Sequence, residues 1–304
     1  MLNAITIDVE EYFHPTEVQK SVNFDSWKDL PSRVEDQTFR ILDLLASKNS
    51  KATFFVLGWV AEHHPRIAQA IVQAGHEIGC HSYAHQLVYK LTPKEFRDDT
   101  RRAVAAIENA CGVTPKSYRA PSYSITSGTI WALDILVEEG FTQDSSIYPI
   151  THDRYGIPGY NRHAHMIDTP SGRIQEVPIA TSKSAHGRLS PVGGGAYLRL
   201  LPYRYTAAGI RRLNVHEGEA ACIYFHPWEI DEHQPRLAKG IISRLRTYTG
   251  LKGMYGKVSR LLTDFQFSSM QMAYGPKAIA RPAMEQRVPV SSCEVGSVPS
   301  RRLA

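Results

Sequence analysis

Four short motifs place residue types suited to acid–base and metal chemistry along the chain. The first is Asp8-Val9-Glu10-Glu11, which follows an apolar, β-branched run. Because side chains alternate along a strand, we expect Asp8 and Glu10 to share one face and Glu11 to point the other way. Two carboxylates on one face could divide into a general base and a metal ligand. An acidic turn exposed to solvent is the alternative interpretation.

The second motif is His81-Ser82-Tyr83-Ala84-His85. On a helical turn, residues four apart lie on one face, so both imidazoles could bind one ion. The chain has 13 histidines, and a pair at this spacing arises easily by chance. Surface histidines are therefore the alternative, and the position directly after a predicted strand favours the metal site.

The third motif is Arg119-Ala120-Pro121-Ser122-Tyr123. The guanidinium of Arg119 could hold a catalytic carboxylate through a bidentate, charge-assisted bond. Pro121 fixes the loop, which would help to direct a backbone N–H at a developing oxyanion. The alternative is an ordinary structural turn.

The fourth motif contains His226, Trp228 and Glu229 in the run YFHPWE. A histidine that titrates near neutral pH is suited to protonating a leaving amine, which is the role we predict for His226. Trp228 could form an apolar wall on which a sugar ring stacks. Asp144, at another predicted strand end, could orient His226. A capped core histidine is the alternative interpretation.

Strands and helices alternate in the pattern of a parallel α/β fold, most simply a barrel. Active-site residues of such barrels lie at the carboxyl ends of the strands, where all four motifs fall. The predicted strands are 2–9, 51–57, 77–79, 117–120, 141–147 and 221–226, and the predicted helices are 34–47, 59–74, 93–110, 127–139 and 206–216. Residues 150–205 are predicted to be a loop-rich insertion that includes a short strand at 174–180, residues 237–264 a basic helical segment, and residues 277–304 a disordered basic tail.

Composition excludes several classes of protein. The 304 residues, with 42% hydrophobic and 21% charged, do not fit collagen, a long coiled coil or a disordered chain. No apolar run is long enough to span a membrane, and no secretory signal is recognisable. Four scattered cysteines predict a reduced, cytoplasmic protein, peripheral at the inner membrane if its substrate is membrane-linked.

The formal charge of +5 raises the question of an anionic partner. Residues 277–304 hold five basic and two acidic residues, so most of the excess lies in the predicted tail. This tail could make weak contact with an anionic membrane surface, although a solubilising end is the simpler interpretation. The basic residues match no nucleic-acid-binding motif, and we predict no nucleic-acid partner.

The motifs TIDVEEYF, HSYAH, RAPSY, DSSIYP and YFHPWE occur in the order and spacing of a known family. Over about residues 2–270 the chain resembles the polysaccharide deacetylase superfamily, also called the NodB-homology family or carbohydrate esterase family 4. The runs EVP at 176–178 and GGGAYLRLLPY at 193–203 are similar to its branch encoded with bacterial exosortase-linked exopolysaccharide loci.

The resemblance implies a distorted, seven-stranded (β/α) barrel over residues 1–270, with the loop-rich insertion and a helical C-terminal extension from about residue 230. It implies one divalent metal ion, zinc in the first place, with cobalt, nickel or manganese as alternatives. It also implies hydrolysis of an N-acetyl group on an amino sugar, which would be part of a polysaccharide or a lipid-linked oligosaccharide.

The family's functional residues match positions of this chain one by one. His81 and His85 match the two metal-binding histidines, Asp8 matches the base and Arg119 the arginine that holds it. Tyr123 matches the loop whose backbone N–H helps to form the oxyanion hole, His226 matches the acid, and Asp144 resembles the aspartate that supports it. The aromatic residues Trp228, Tyr148 and Tyr123 are the predicted substrate contacts.

The first motif departs from the commonest family pattern, which has two adjacent aspartates. Here Val9 follows Asp8, and strand alternation makes Glu10 the predicted third metal ligand, with Glu11 as the alternative. The predicted function is removal of N-acetyl groups from N-acetylhexosamine units of an exopolysaccharide or its precursor. Hydrolysis of small cyclic amides or ureides on the same scaffold, and non-catalytic glycan binding in a polysaccharide assembly complex, are the alternatives.

Overall fold

The computed structural model describes residues 1–152, 154–183, 187 and 189–275. The predicted basic tail at 277–304 lies outside the described residues, as does His186. Among the described residues, no helix combines the length and the apolar character that crossing a membrane requires.

Eleven strands lie in the described part of the chain. They are β1 Asn3–Val9, β2 Thr53–Val56, β3 Glu77–Cys80, β4 Ser117–Tyr118, β5 Gln143–Asp144, β6 His165–Thr169, β7 Gly172–Glu176, β8 Thr181–Lys183, β9 Leu189–Pro191, β10 Cys222–Phe225 and β11 Phe267–Ser268.

Eleven α-helices accompany these strands. They are α1 Thr16–Gln19, α2 Val34–Ser47, α3 Gly58–His63, α4 Pro65–Gln73, α5 Pro93–Cys111, α6 Trp131–Glu138, α7 Gly195–Leu200, α8 Tyr203–Arg211, α9 Ile241–Tyr248, α10 Leu251–Asp264 and α11 Met270–Tyr274. Short 3₁₀ turns include Pro121–Tyr123 and Pro227–Ile230, and a π-helical segment, Arg212–Glu217, continues α8.

Nine strands form the main sheet, in the order β10-β1-β2-β3-β4-β5-β7-β6, with β11 also pairing with β1. The seven strands from β10 to β7 are all parallel, whereas β6 pairs with β7 in the antiparallel direction. Every residue of β1 is buried, as expected for a parallel strand whose two faces are both covered. The α/β class and the run of seven parallel strands agree with the sequence prediction.

The sheet curves without complete strand pairing around a barrel. Between β7 and β10, one backbone hydrogen bond runs from Ala180 N–H to the carbonyl of Cys222 (2.9 Å). Arg119 crosses the interior and reaches side chains of β1 and of Ser145, which follows β5. The strands therefore bring their carboxyl ends to one shared side, although the described residues do not form a closed barrel.

Several element boundaries differ from the sequence prediction for local reasons. The predicted helix at 59–74 is two helices, because Pro65 has no N–H to donate within a continuous helix. The basic segment 237–264 is divided at Gly250, whose φ of +83° is left-handed. Residues 150–205 are more than an insertion, because β7 joins the main sheet beside β5. The prediction for α5 is confirmed, including its Thr92 cap.

Candidate functional site

Asp8 and Glu10 leave the carboxyl end of β1 towards the same region, as strand alternation predicts. One oxygen of Asp8 accepts a hydrogen bond from Arg119 Nη1 (2.7 Å), and both side chains are buried. The same nitrogen also donates to the hydroxyl of Thr6 (2.6 Å), while Nε and Nη2 donate to the carbonyl and hydroxyl of Ser145. The predicted bidentate bond to the carboxylate is therefore wrong. Arg119 holds Asp8 through one nitrogen, and its other two nitrogens bind Ser145 after β5.

Glu11 points to the opposite side and caps a helix. Its Oε1 accepts hydrogen bonds from the backbone N–H groups of Arg33 (2.8 Å) and Val34 (3.1 Å) and from the hydroxyl of Ser32. These N–H groups open α2, and a carboxylate there satisfies donors that have no partner within the helix. Of the two adjacent glutamates, Glu10 is the one that faces the histidines.

Glu10, His81 and His85 bring one ligand atom each within 4.8 Å of one another. The Oε1 of Glu10 lies 3.1 Å from Nε2 of His81 and 3.0 Å from Nε2 of His85. The Nδ1–H of His81 donates to the carbonyl of Arg119 (2.7 Å), which leaves its Nε2 lone pair directed at the carboxylate. All three residues are buried.

The two histidines converge without a helix. His81 follows β3 directly, and the backbone then turns through left-handed residues at Ser82 (φ +66°) and His85 (φ +53°). The hydroxyl of Ser82 accepts from the N–H of His85 (3.1 Å), and the loop also bonds to the start of α3. The pairing predicted from the spacing is confirmed, but the helical turn assumed for it is wrong.

The charge of Glu10 depends on the imidazoles around it. Burial raises the pKa of its carboxyl group, but the charges of His85 and His226 and hydrogen bonds from His81 and His85 hold that pKa well below its usual range. A buried carboxylate facing two imidazole nitrogens needs protons or a cation between the groups. Two nitrogens and one oxygen are a donor set typical of zinc and other borderline divalent metals.

His226 lies at the end of β10 beside both carboxylates. Its Nε2 is 3.8 Å from Asp8 Oδ2 and 3.8 Å from Glu10 Oε1. Its Nδ1–H donates to Glu229 Oε2 (2.8 Å). Burial lowers the pKa of His226, but Glu10, Glu229 and Asp8 raise it to about 9. The carboxylates around the imidazole therefore favour its protonated form.

The partner of His226 is itself held by a buried cation. Arg199 on α7 donates through Nε to Glu229 Oε1 (2.6 Å), and both side chains are almost completely buried. The other nitrogens of Arg199 donate to the carbonyls of Arg246 and Thr249. The three charged side chains therefore form a series in which Arg199 binds Glu229 and Glu229 binds His226. Burial raises the pKa of Glu229, but His226 and Arg199 lower it overall.

Asp144 does not orient His226, contrary to the sequence prediction. Its carboxylate accepts from the backbone N–H (3.0 Å) and hydroxyl (2.6 Å) of Ser146, and it lies against the buried carboxyl of Glu176 on β7. Burial raises the pKa of both acids, and that of Glu176 rises well above its usual range. This pair packs between β5 and β7. The role predicted for Asp144, which was to orient His226, belongs to Glu229.

The loop after β4 differs in detail from the prediction. Ser122 (φ +50°) and Tyr123 (φ +53°) are both left-handed. The N–H of Tyr123, expected to face an oxyanion, donates to the carbonyl of Ala120 (3.1 Å). The N–H of Ser122 has no hydrogen-bond partner among the residues that the structure describes. The loop can therefore offer a donor one residue earlier than predicted.

The predicted substrate contacts are mostly covered by protein. Tyr148 is fully buried against Tyr123 and Tyr155, and Tyr123 is itself 4% exposed. Trp228 stacks on His226, with ring centroids 5.0 Å apart, and its Nε1–H donates to Glu10 Oε2 (3.3 Å). The observed role of Trp228 is thus to position two site residues.

Sequence reasoning missed Glu229 and Arg199. Glu229 was within reach, since a residue three positions after His226 across Pro227 forms a capping box. Arg199 lies in no pattern that identifies a partner 30 residues away. His14, close in sequence to the first motif, is buried between Trp27 and Trp59, and its Nδ1 accepts a hydrogen bond from the N–H of Glu11 (3.1 Å).

Two family models match the chain, one after the other. The model described as "Polysaccharide deacetylase" matches residues 18–137. The model described as "Domain of unknown function (DUF3473)" matches residues 145–275. His81, His85 and Arg119 lie in the first segment, and His226 in the second.

Curated relatives agree with the first of these matches. A peptidoglycan-N-acetylglucosamine deacetylase of Bacillus cereus is 31% identical over 169 residues, which cover 51% of this chain and 58% of that protein. A chitooligosaccharide deacetylase of a Bradyrhizobium species is 34% identical over 97 residues, which cover 32% of this chain and 42% of that protein. The chain thus spans about half the length of these relatives.

A solved structure shows the same fold over nearly the whole chain. It is a crystal structure from Mycobacterium smegmatis whose name places it with the polysaccharide deacetylases. The two proteins superpose with a TM-score of 0.59 and 20% identity, and the match covers 94% of each chain.

Proposed function

We propose that the chain is a metal-dependent hydrolase that removes N-acetyl groups from N-acetylhexosamine units of an exopolysaccharide or its precursor, and the match of residues 18–137 to the polysaccharide deacetylase model supports this proposal. The observation that carries this proposal is the convergence of a buried Glu–His–His group with the acid–base pair Asp8 and His226. A glycan-binding protein has no need to bury these groups together.

Glu10, His81 and His85 are the residues that would hold the metal. They fit it because their donor atoms face one another in a buried space. Zinc suits the two-nitrogen, one-oxygen set, and cobalt, nickel or manganese are the alternatives. Such an ion would act as a Lewis acid towards the amide carbonyl and would lower the pKa of a bound water.

Asp8 and His226 supply the proton transfers in this proposal. Asp8 is the base, and Arg119 keeps its carboxylate in one place while leaving Oδ2 available on the side of His226. His226, protonated and held through Nδ1 by Glu229, donates its Nε2 proton to the leaving amine. Each of these roles typically contributes about 10²–10⁴ to a rate.

The oxyanion is the remaining charge that the chain has to stabilise. Tyr123 was the predicted donor, but its N–H is occupied. We assign this role to the N–H of Ser122, whose left-handed backbone is fixed by the turn and whose hydroxyl lies 2.9 Å from that of Thr16. A preorganised backbone donor costs no reorganisation as the charge develops.

The substrate class follows from the relatives. One is named for the N-acetylglucosamine of peptidoglycan and another for chitooligosaccharides, so the shared substrate chemistry is an N-acetylated amino sugar. An exopolysaccharide or a lipid-linked oligosaccharide is our more specific proposal for this chain, and it rests on the resemblance of the runs at 176–178 and 193–203.

The test is acetate release from N-acetylglucosamine oligomers. We expect release by the purified protein, loss of release after treatment with a chelator, and recovery when zinc or cobalt is added back. His81→Ala should not recover with either metal, whereas His216→Ala, which changes an exposed histidine, should behave as the parent.

Two results would contradict the proposal. Sugar binding without acetate under any metal condition would indicate a glycan-binding protein. Ring opening of cyclic amides without acetate release would indicate the other hydrolase class.

A further inference from the structure

Helix α9 presents its apolar side chains to solvent. Ile241 is 79% exposed, Ile242 68% and Leu245 59%, and these residues share one side of the helix. A surface helix ordinarily turns its apolar stripe towards the core. An outward apolar stripe of this kind marks an interaction surface.

The inner face of α9 is polar, so the helix packs with its polar side towards the protein and its apolar side towards solvent. The buried residues on this face are Ser243, Thr247 and Tyr248. The hydroxyl of Ser243 donates to Glu17 (2.6 Å), and that of Tyr248 accepts from the N–H of Ala238 (2.8 Å). Because these hydrogen bonds fix the rotation of α9, the aliphatic side chains cannot turn inward.

The segment that carries the exposed stripe is basic in sequence. Residues 236–252 contain five basic residues and no aspartate or glutamate. Lys239, Arg244 and Lys252 are exposed, and none of them is paired with a carboxylate among the residues that the structure describes. The charge of this face is therefore available to an anionic partner.

Helix α9 packs close to the candidate site through its inner face. Glu17, which binds Ser243, belongs to α1, and Gln19 at the end of α1 contacts Nδ1 of His85 (3.2 Å). On the other side, the carbonyls at the end of α9 accept from Arg199. A surface bound by α9 would thus lie near the site.

We propose that α9 is an interfacial helix that docks the protein on an anionic lipid surface. Protruding aliphatic side chains flanked by lysine and arginine are the signature of a helix that lies in the headgroup region. A second copy of the chain fits this face poorly, because a two-fold contact would set two unneutralised basic faces against each other. The proposal stands on α9 alone and would survive a failure of the proposed activity.

The test is flotation of the full chain with lipid vesicles. We expect binding to vesicles of phosphatidylcholine with phosphatidylglycerol and much weaker binding to phosphatidylcholine alone. The variant Ile241→Ser/Ile242→Ser/Leu245→Ser should bind the anionic vesicles more than tenfold more weakly, because the apolar contribution is removed. Arg244→Gln should weaken binding about fivefold, since one charge near the surface contributes about 1 kcal/mol.

A matched control changes apolar residues that are equally exposed elsewhere. Val215 is 75% exposed and Met272 67%, and Val215→Ser/Met272→Ser should bind vesicles like the parent. The C-terminal segment is unchanged in every variant, so binding that survives in the triple variant would assign lipid contact to another part of the chain and overturn the proposal. Failure of the parent to bind, or self-association that the triple variant abolishes, would also overturn it.

Discussion

Residues 1–137 and 145–275 contribute to the site in different ways. In the first region the groups stand at or after the carboxyl ends of parallel strands: Asp8 and Glu10 at the end of β1, His81 and His85 in the loop after β3, and Arg119 after β4. In the second region only His226 follows this rule. Its support comes from a 3₁₀ turn, which carries Glu229, and from Arg199 on the separate helix α7.

The two regions differ in what positions their functional groups. In the first region it is the topology of the sheet, and in the second it is the series of contacts from Arg199 through Glu229 to His226, which we call the relay. The carboxyl ends of parallel strands lie at the same edge of the sheet, whatever the sequence between the strands. The fold alone therefore brings the residues of the first region together. In the second region the acid, His226, is held by the buried Glu229, which is held in turn by the buried Arg199. We therefore expect substitutions there to affect stability and chemistry together.

The largest expected effect comes from removing the base of the first region and the acid of the second. Asp8→Asn and His226→Gln should each lower kcat/KM by about 10²–10⁴ while the protein stays folded. The measurement is acetate release together with thermal unfolding. Asp43→Asn and His216→Gln, at exposed positions, are the matched controls and should retain activity. Full turnover in either site variant would end the assignment of that region's role.

A smaller effect should distinguish the relay from an ordinary ion pair. Arg199→Met leaves Glu229 buried with one cation fewer, and we expect a loss of about 3–5 kcal/mol in the free energy of unfolding. Arg173→Met breaks an ion pair with Asp168 in which both side chains are mostly exposed, and should cost less than about 1 kcal/mol. Urea denaturation measures both.

Activity adds a second measurement for the relay. If Arg199 positions His226 through Glu229, Arg199→Lys should restore part of kcat, with KM changing less than kcat. Equal unfolding free energies for Arg199→Met and Arg173→Met would contradict the relay.

The smallest effect concerns the contact between the two regions. Glu17 lies in the first region and binds Ser243, Arg154 and Arg246 of the second. Burial raises the pKa of Glu17, but the Ser243 hydrogen bond and the nearby cations lower it to about 2. A carboxyl group with a depressed pKa stabilises the folded state fully above its unfolded pKa, near 4.5, and loses that contribution as pH falls towards 2.

The parent should therefore melt at a higher temperature than Glu17→Gln at neutral pH. This difference should shrink as the pH is lowered from about 4.5 towards about 2. Thermal unfolding at several pH values measures it, and Asp43→Asn should show no such trend. A difference that does not change with pH would mean that the Glu17 charge does not stabilise this contact.

The sequence was most informative where chemistry and strand ends coincide. Asp8, Glu10, His81, Arg119 and His226 could be placed together because each follows a short apolar strand. The pairing of His81 with His85 was right although its helical explanation was wrong, since two left-handed residues produce the same convergence. Spacing predicts proximity better than it predicts backbone conformation.

Position at a strand end led to a wrong prediction where a neighbouring strand supplies the partner of the side chain. Asp144 has the right position, but β7 brings Glu176 against it, and strand partners that are distant in sequence are not readable from local pattern. Arg199 was missed for the same reason, because its partner is fixed by tertiary packing. The N–H of Tyr123 was misassigned because a tight turn uses it internally.

The pairing of β1 has a consequence for how the chain can be divided. β1 pairs with β2 on one side and with β10 and β11 on the other, and β11 contributes Phe267 and Ser268. The first matched segment contributes β2, β3 and β4 and the second contributes β7, β10 and β11, and β1, which precedes both, joins them in one sheet. We expect a single cooperative unfolding transition, and a fragment cut near residue 140 would expose the edge of β1 instead of preserving a folded half.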